Sequence, residues 1–208
     1  MARRTGSSGA ETARNIRAES LRLFARHGFS AVSMRMIADA VGVQPGALYQ
    51  YHPTKQRLLA DLLQSHMENL LAEWRDGGHA GDDPVAELER FARFHIGYHI
   101  ERPDEVFISY MELRSLEADE FKTIEALRKT YEGILKSILD AGIAARKFAV
   151  DDSHVTAMAI LAMLTGVNTW YRSGGRLSQR KIEDIYIAMV LRSVGYGLPG
   201  LAEGEPHV

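Results

Sequence analysis

The chain has 208 residues, 46% of them apolar and 25% charged, with 18 Gly, 6 Pro and no Cys. That composition suits one or two ordinary hydrophobic cores and excludes a disulfide framework, a thiol nucleophile and a Cys-based zinc or iron–sulfur site. The net charge of −2 conceals a division, because the first sixty residues carry nine basic against three acidic side chains, leaving +6, while the rest carries −8. A basic head on an acidic body points to a polyanion as partner of the head alone. The basic start, with Arg3 and Arg4, has no apolar stretch behind it, and the most apolar run, Val155 to Val167, is shorter than the ~20 residues that cross a bilayer. The expectation is a soluble cytoplasmic chain with no membrane partner.

Helical periodicity runs through the sequence without sustained strand alternation, so the fold class is all-α. A first helix is expected from about Glu11 to His27, with Ile16, Leu21, Phe24 and Ala25 on one face and arginines on the other, stopped by Gly28. Ser33 can cap a short second helix, Met34 to Val41, with Ile37, Ala38 and Val41 inward, and Gly42 breaks it. Pro45 suits the first turn of a third helix ending near Tyr51, since its missing N–H would be unpaired there. Thr54 then caps a long helix through Leu58, Leu59, Leu62, Leu63, Met67, Leu70, Leu71 and Trp74. The Gly- and Asp-rich stretch Asp76 to Pro84 is a loop. Further helices are expected at about Pro84–Glu101, Pro103–Leu116, Glu120–Ala145, Asp152–Ser173 and Ser178–Val194, followed by a frayed tail from Gly197 to Val208.

Two short helices joined by a tight turn behind a supporting helix make a helix-turn-helix, and Ser33 to Tyr51 has those lengths. Its second helix is then the reader. Arg35, Gln44 and Gln50 offer forked donors and amides to base edges, while Pro45, Gly46 and Ala47 complete the surface with apolar contacts. Tyr49, Tyr51, Thr54 and Lys55 suit phosphates, the last two at a helix start whose free N–H groups favour an anion. Arg3 and Arg4 suit counterion release or a minor groove.

Phe24-Ala25-Arg26-His27-Gly28-Phe29, Ser33, Ile37-Ala38, Val41-Gly42-Val43, Gly46, Leu48-Tyr49, Tyr51 and Lys55-Gln56-Arg57-Leu58-Leu59 together resemble the TetR family of bacterial transcriptional regulators. The resemblance implies a three-helix DNA-binding domain over residues 1–55 and a larger helical domain over residues 56–208 that dimerises and binds a small effector. The chain departs from the family after Tyr51, where a Phe is usual and His52-Pro53 stands. A polar cap before Pro53 is the simpler reading of His52, with a pH switch as the alternative.

In the remaining chain Trp74, Phe94, Tyr98, Phe107, Met111, Tyr131, Met163 and Trp170, with Tyr110 and Tyr171, line a ligand cavity on the family reading and plain core otherwise. His95 and His99 are one turn apart, but with no carboxylate partner identifiable they are not read as a metal site, and no cofactor is expected. Small residues at Ala159, Ala162, Gly166 and Thr169 make a stripe for close helix approach, and Ile182, Tyr186 and Met189 share a face of the last helix. The resemblance implies that these two helices pair with their symmetry mates. Gly166 to Leu177 also looks like the same region of TetR-type regulators of fatty-acid and sterol breakdown, some of which sense acyl-CoA thioesters. Arg172 and Arg176 would then meet phosphates, the alternative being solvated arginines at a helix end.

The resulting expectation is a repressor, acting as a homodimer on a palindromic DNA operator and released by a small hydrophobic effector. The rivals are an enzyme using the helical domain as its pocket, which lacks a Gly-rich phosphate loop, a nucleophile elbow and a metal-ligand cluster, and an effector-independent architectural DNA-binding dimer.

Overall fold

The computed structural model describes residues 9–197; Arg3, Arg4 and the tail from residue 198 onward lie outside them. Within that range all regular structure is helical: α1 (Gly9–His27), α2 (Met34–Val41), α3 (Pro45–Tyr51), α4 (Lys55–Asp76), α5 (Pro84–Glu101), α6 (Pro103–Met111), a 3-10 turn (Leu113–Ser115), α7 (Ala118–Ala144), α8 (Ser153–Thr165), α9 (Val167–Trp170) and α10 (Gln179–Ser193). The chain divides into two compact units. One takes the chain up to Asn69 together with Pro103–Leu127; the other takes Leu70–Arg102 and the chain from Arg128 on. The packing division therefore follows a different line from the functional one expected at residue 55, and both α4 and α7 continue from one unit into the other.

Local chemistry explains the punctuation of the first unit. Gly28 ends α1 at φ 79°, where its N–H donates to the Phe24 carbonyl at 2.9 Å, a conformation that costs glycine nothing. Ser33 Oγ accepts from Met36 N–H at 3.2 Å, and Gly42 closes α2 at φ 76°. Thr54 Oγ1 accepts from Arg57 N–H at 3.0 Å at the head of α4. Ile16, Phe24, Ile37, Leu48, Leu58 and Leu59 are fully buried and form the core of this unit. Helix α6 packs on α1 and stops at Met111, earlier than expected, where the chain tightens into the 3-10 turn.

In the second unit α5 is buried on most of its circumference, and α10, α8 and α9 pack against it. Phe91 lies 5.2 Å from both Trp74 and Tyr131, and Arg93 of α5 bonds Glu183 and Asp184 of α10 at 2.9 Å each. At the end of α7 a Cβ on Gly142 would overlap the Phe148 ring, so only glycine lets the chain fold back there. The single helix expected over Asp152–Ser173 is two. Gly166 and Asn168 are weak helix formers, Thr169 turns its hydroxyl back to the Gly166 carbonyl at 2.8 Å, and the backbone becomes extended at Tyr171.

Candidate nucleic-acid interface

Helix α3 buries one side chain, Leu48. Gln44, Gly46, Tyr49 and Gln50 are exposed, and Pro45, Ala47 and Tyr51 are half-buried. Arg35 of α2 is exposed beside them in sequence, next to a core contribution from Met34, Ile37 and Ala38. A seven-residue helix held by one leucine leaves its amides and aromatic hydroxyls unspent on the core, as a reading helix requires.

Lys55 is placed differently from its expected phosphate role. Its ammonium donates to the carbonyls of Phe29 at 2.8 Å and Val32 at 2.7 Å and lies 4.1 Å over the Phe29 ring. Two of its three N–H donors are thus used inside the unit. Burial pushes its pKa below the ordinary lysine value, with Glu112 opposing the shift. The reassignment has a geometric cause, since the turn from Gly28 to Ser33 brings two carbonyls to the start of α4.

His52, the departure from the family pattern, is buried at the end of α3, where its N–H donates to the Leu48 carbonyl at 3.1 Å. Its Nδ1 lies 3.1 Å from Asp61, which also pairs with Arg57 at 3.0 Å, and Arg17 donates to the Asp61 carbonyl at 3.2 Å. Burial is the largest influence on His52 and lowers its pKa; Asp61 opposes it, and Arg17 and Arg57 add to it. The imidazole thus sits against Asp61 where α3 meets α4, its Nδ1 close to the carboxylate without a well-aligned hydrogen bond.

The expected effector cavity is corrected in several places. Phe107 and Met111 are exposed and belong to the first unit, so they do not line a cavity of the second. Trp170 is half exposed and stacks on Tyr186 at 6.3 Å. Tyr131 is buried with its hydroxyl 3.1 Å from His95 Nδ1, whose Nε2 is 3.0 Å from Thr165 Oγ1. Tyr98 is buried under Arg102 at 4.0 Å, Phe94 packs on Trp74 at 5.4 Å, and Met163 is half-buried. Of the expected set, Trp74 alone lines a cleft of about 490 Å³ in the second unit, between the end of α4, the loop before α5 and residues 134–141 of α7. Ile134, Ile138, Ala141 and Pro84 give it apolar walls, and Asp82, Asp83 and Glu87 stand at it. Arg90 holds the Glu87 carboxyl down to about 2 through bonds of 2.6 and 2.9 Å.

On the last helices Val155, Met158, Ala159, Ala162, Thr169, Ile185 and Met189 are exposed, while Gly166 and Tyr186 are half-buried. Ile182 is corrected: it is 3% exposed and faces the core of its own unit, because α10 turns that side toward α5. Among the described residues no group of three or more His, Asp or Glu side chains is arranged to hold a metal, and no helix is long and apolar enough to cross a membrane.

The all-helical architecture with an unspent seven-residue helix behind a tight glycine turn defines a helix-turn-helix protein. Residues 16–62 match the family of bacterial regulatory proteins named for tetR, and residues 81–194 match the tetracyclin repressor-like C-terminal domain. The chain belongs to the TetR family of transcriptional regulators. It is 28% identical over 171 residues to the HTH-type transcriptional repressor KstR2 of Rhodococcus jostii RHA1, covering 81% of this chain and 84% of that protein. A bacterial regulatory protein in the tetR family from Rhodococcus RHA1 superposes with a TM-score of 0.84 at 27% identity, covering 92% of this chain and 100% of the other. AibR, solved in complex with isovaleryl coenzyme A and operator DNA, superposes with a TM-score of 0.77 at 26% identity over 86% of this chain and 97% of its own.

Proposed function

We propose that this protein is a ligand-responsive repressor that binds a palindromic operator as a homodimer and leaves it when a small hydrophobic effector binds. The observation that carries this reading is α3, whose exposed Gln44, Tyr49 and Gln50 face no other part of their unit's core. Gln50 and Gln44 read base edges together with Arg35, and Tyr49, Tyr51 and Thr54 contact phosphates. The partner copy docks on the apolar face made by Val155, Met158, Trp170, Ile185 and Met189, with Ala159, Ala162, Gly166, Thr169 and Tyr186 allowing close approach. Two-fold symmetry of the protein then appears in the operator. Selection of bound duplexes from random DNA tests the reading: enrichment of a two-fold site supports it, and recovery of unrelated sequences at equal affinity refutes it.

The cleft beside Trp74 has the size and apolar walls of a small-molecule site and is the effector position in this reading. The likeness to AibR with its bound isovaleryl coenzyme A favours an acyl-CoA as the finer alternative, with exposed Arg172 and Arg176 meeting its phosphates. Calorimetric titration with acyl-CoAs and the corresponding free acids separates the two, since equal affinity for acid and thioester removes the arginines from recognition.

A further inference from the structure

Phe29, in the turn between α1 and α2, has both of its backbone groups held by ionic side chains. Its N–H donates to Glu112 Oε1 at 2.9 Å, and its carbonyl accepts from Lys55 Nζ at 2.8 Å. The same ammonium takes the Val32 carbonyl, so the turn is gripped at both ends. Glu112 is itself fixed, because its Oε2 accepts from Ser115 Oγ at 3.0 Å and the Ser115 carbonyl accepts from Gln56 Nε2 at 3.3 Å. Hydrogen bonds to ionised groups are about twice as strong as neutral ones, and here opposite charges bracket one residue. The turn has little bonding of its own beyond Val32 N–H to the Phe29 carbonyl at 3.3 Å. Next in sequence come Ser33, which caps α2, and then α3.

Glu112 is 83 residues from Phe29 and outside the stretch 16–62 that matches the family's DNA-binding domain. We propose that Glu112 is a positioning residue for DNA recognition: acting with Lys55, it fixes the Phe29–Val32 turn and so sets how α2 and the reading helix α3 are presented. The proposal rests on the reading that α3 meets DNA.

The test uses full-length Glu112→Ala and Glu112→Gln, with exposed Glu117→Ala as a control on the same segment. Affinity for a duplex recovered by selection is measured across a salt series, alongside amide exchange over residues 28–33 and circular dichroism. Glu112→Ala should weaken binding by about ten- to a hundredfold, with a salt slope kept to within about half a phosphate contact because no cation is removed. Glu112→Gln, which keeps an acceptor for the Phe29 N–H, should lose only several-fold, and exchange at Phe29 and Val32 should quicken in the same order. Combining Glu112→Ala with Lys55→Met should cost less than the two single losses together, since both act through Phe29. Should Glu112→Ala fail to fold, Glu112→Gln decides alone, weaker binding with the slope retained supporting the proposal. Wild-type affinity in the folded Glu112 variants overturns it and leaves the DNA-binding reading standing. A wild-type protein that binds no selected duplex overturns both.

Discussion

Glu87→Gln should cost stability in a pH-dependent way whose sign follows from the bonds to its carboxylate. The Glu87 carboxylate accepts from Arg90 at 2.6 and 2.9 Å and from Ala80 N–H at 2.9 Å, with His79 Nδ1 3.2 Å away, so one side chain holds both α5 and the loop before it. Its side chain is 11% exposed, and its pKa falls from 4.5 to about 2. At ~1.4 kcal/mol per pH unit that difference is worth about 3 kcal/mol. The folded state prefers the ionised form, so the contribution is present above pH 4.5 and is lost as pH falls through about 2, below which both states are protonated. The variant also leaves Arg90, whose guanidinium lies 3.4 Å over the Trp74 ring, without its counter-charge. Urea unfolding followed by tryptophan fluorescence should place Glu87→Gln about 3 kcal/mol below wild type at pH 7. The gap should narrow below pH 4.5 and close near pH 2. A gap that stays constant from pH 7 to pH 3 would refute the ionic origin and assign the loss to shape alone.

Three further outcomes are expected. Gln50→Ala should relax base preference at particular operator positions by about 1–3 kcal/mol while leaving the melting temperature unchanged, as read by binding to a panel of single-base operator variants; uniform loss across the panel would remove Gln50 from base reading. Because His52 is held neutral, the unfolded chain takes up its proton first as pH drops below 6.5, so stability should fall there and His52→Gln should flatten that fall in thermal melts from pH 8 to 5; parallel curves would contradict it. Met189→Arg should place a charge in the apolar face of α10 and shift the protein toward monomer in sedimentation velocity, whereas a monomeric wild type at micromolar concentration would end the dimer reading.

The elements readable from sequence were those whose determinants are local. Ser33, Gly42 and Thr54 bond neighbours three or four residues away, and Pro45 sits in the first turn of α3, each where its local chemistry puts it. Lys55 was not readable in the same way, because the carbonyls it binds are 26 and 23 residues distant and their convergence depends on the shape of a turn. Glu112 carries no sequence signal, since only the fold brings this acid, just past the end of α6, to the Phe29 N–H. Ile182 and Tyr186 share a helical stripe, and periodicity cannot say that the first faces α5 while the second stacks on Trp170. The cleft was missed for a related reason: the stretch from Asp76 to Pro84 reads only as a turn, yet its Gly81, Asp82 and Asp83 form one wall.

The first unit is discontinuous, taking residues up to Asn69 and then Pro103–Leu127. During synthesis its early helices leave the ribosome well before the segment that carries Glu112, and 58 more residues must follow Asn69 before Leu127 has been added. At about 5–20 residues per second this is a wait of several seconds, long beside the microsecond formation of single helices. Helices α1 to α3 are therefore synthesised before the 103–127 segment that completes their unit. A nascent chain stalled short of residue 103 would hold α3 without the Glu112 carboxylate that accepts from the Phe29 N–H.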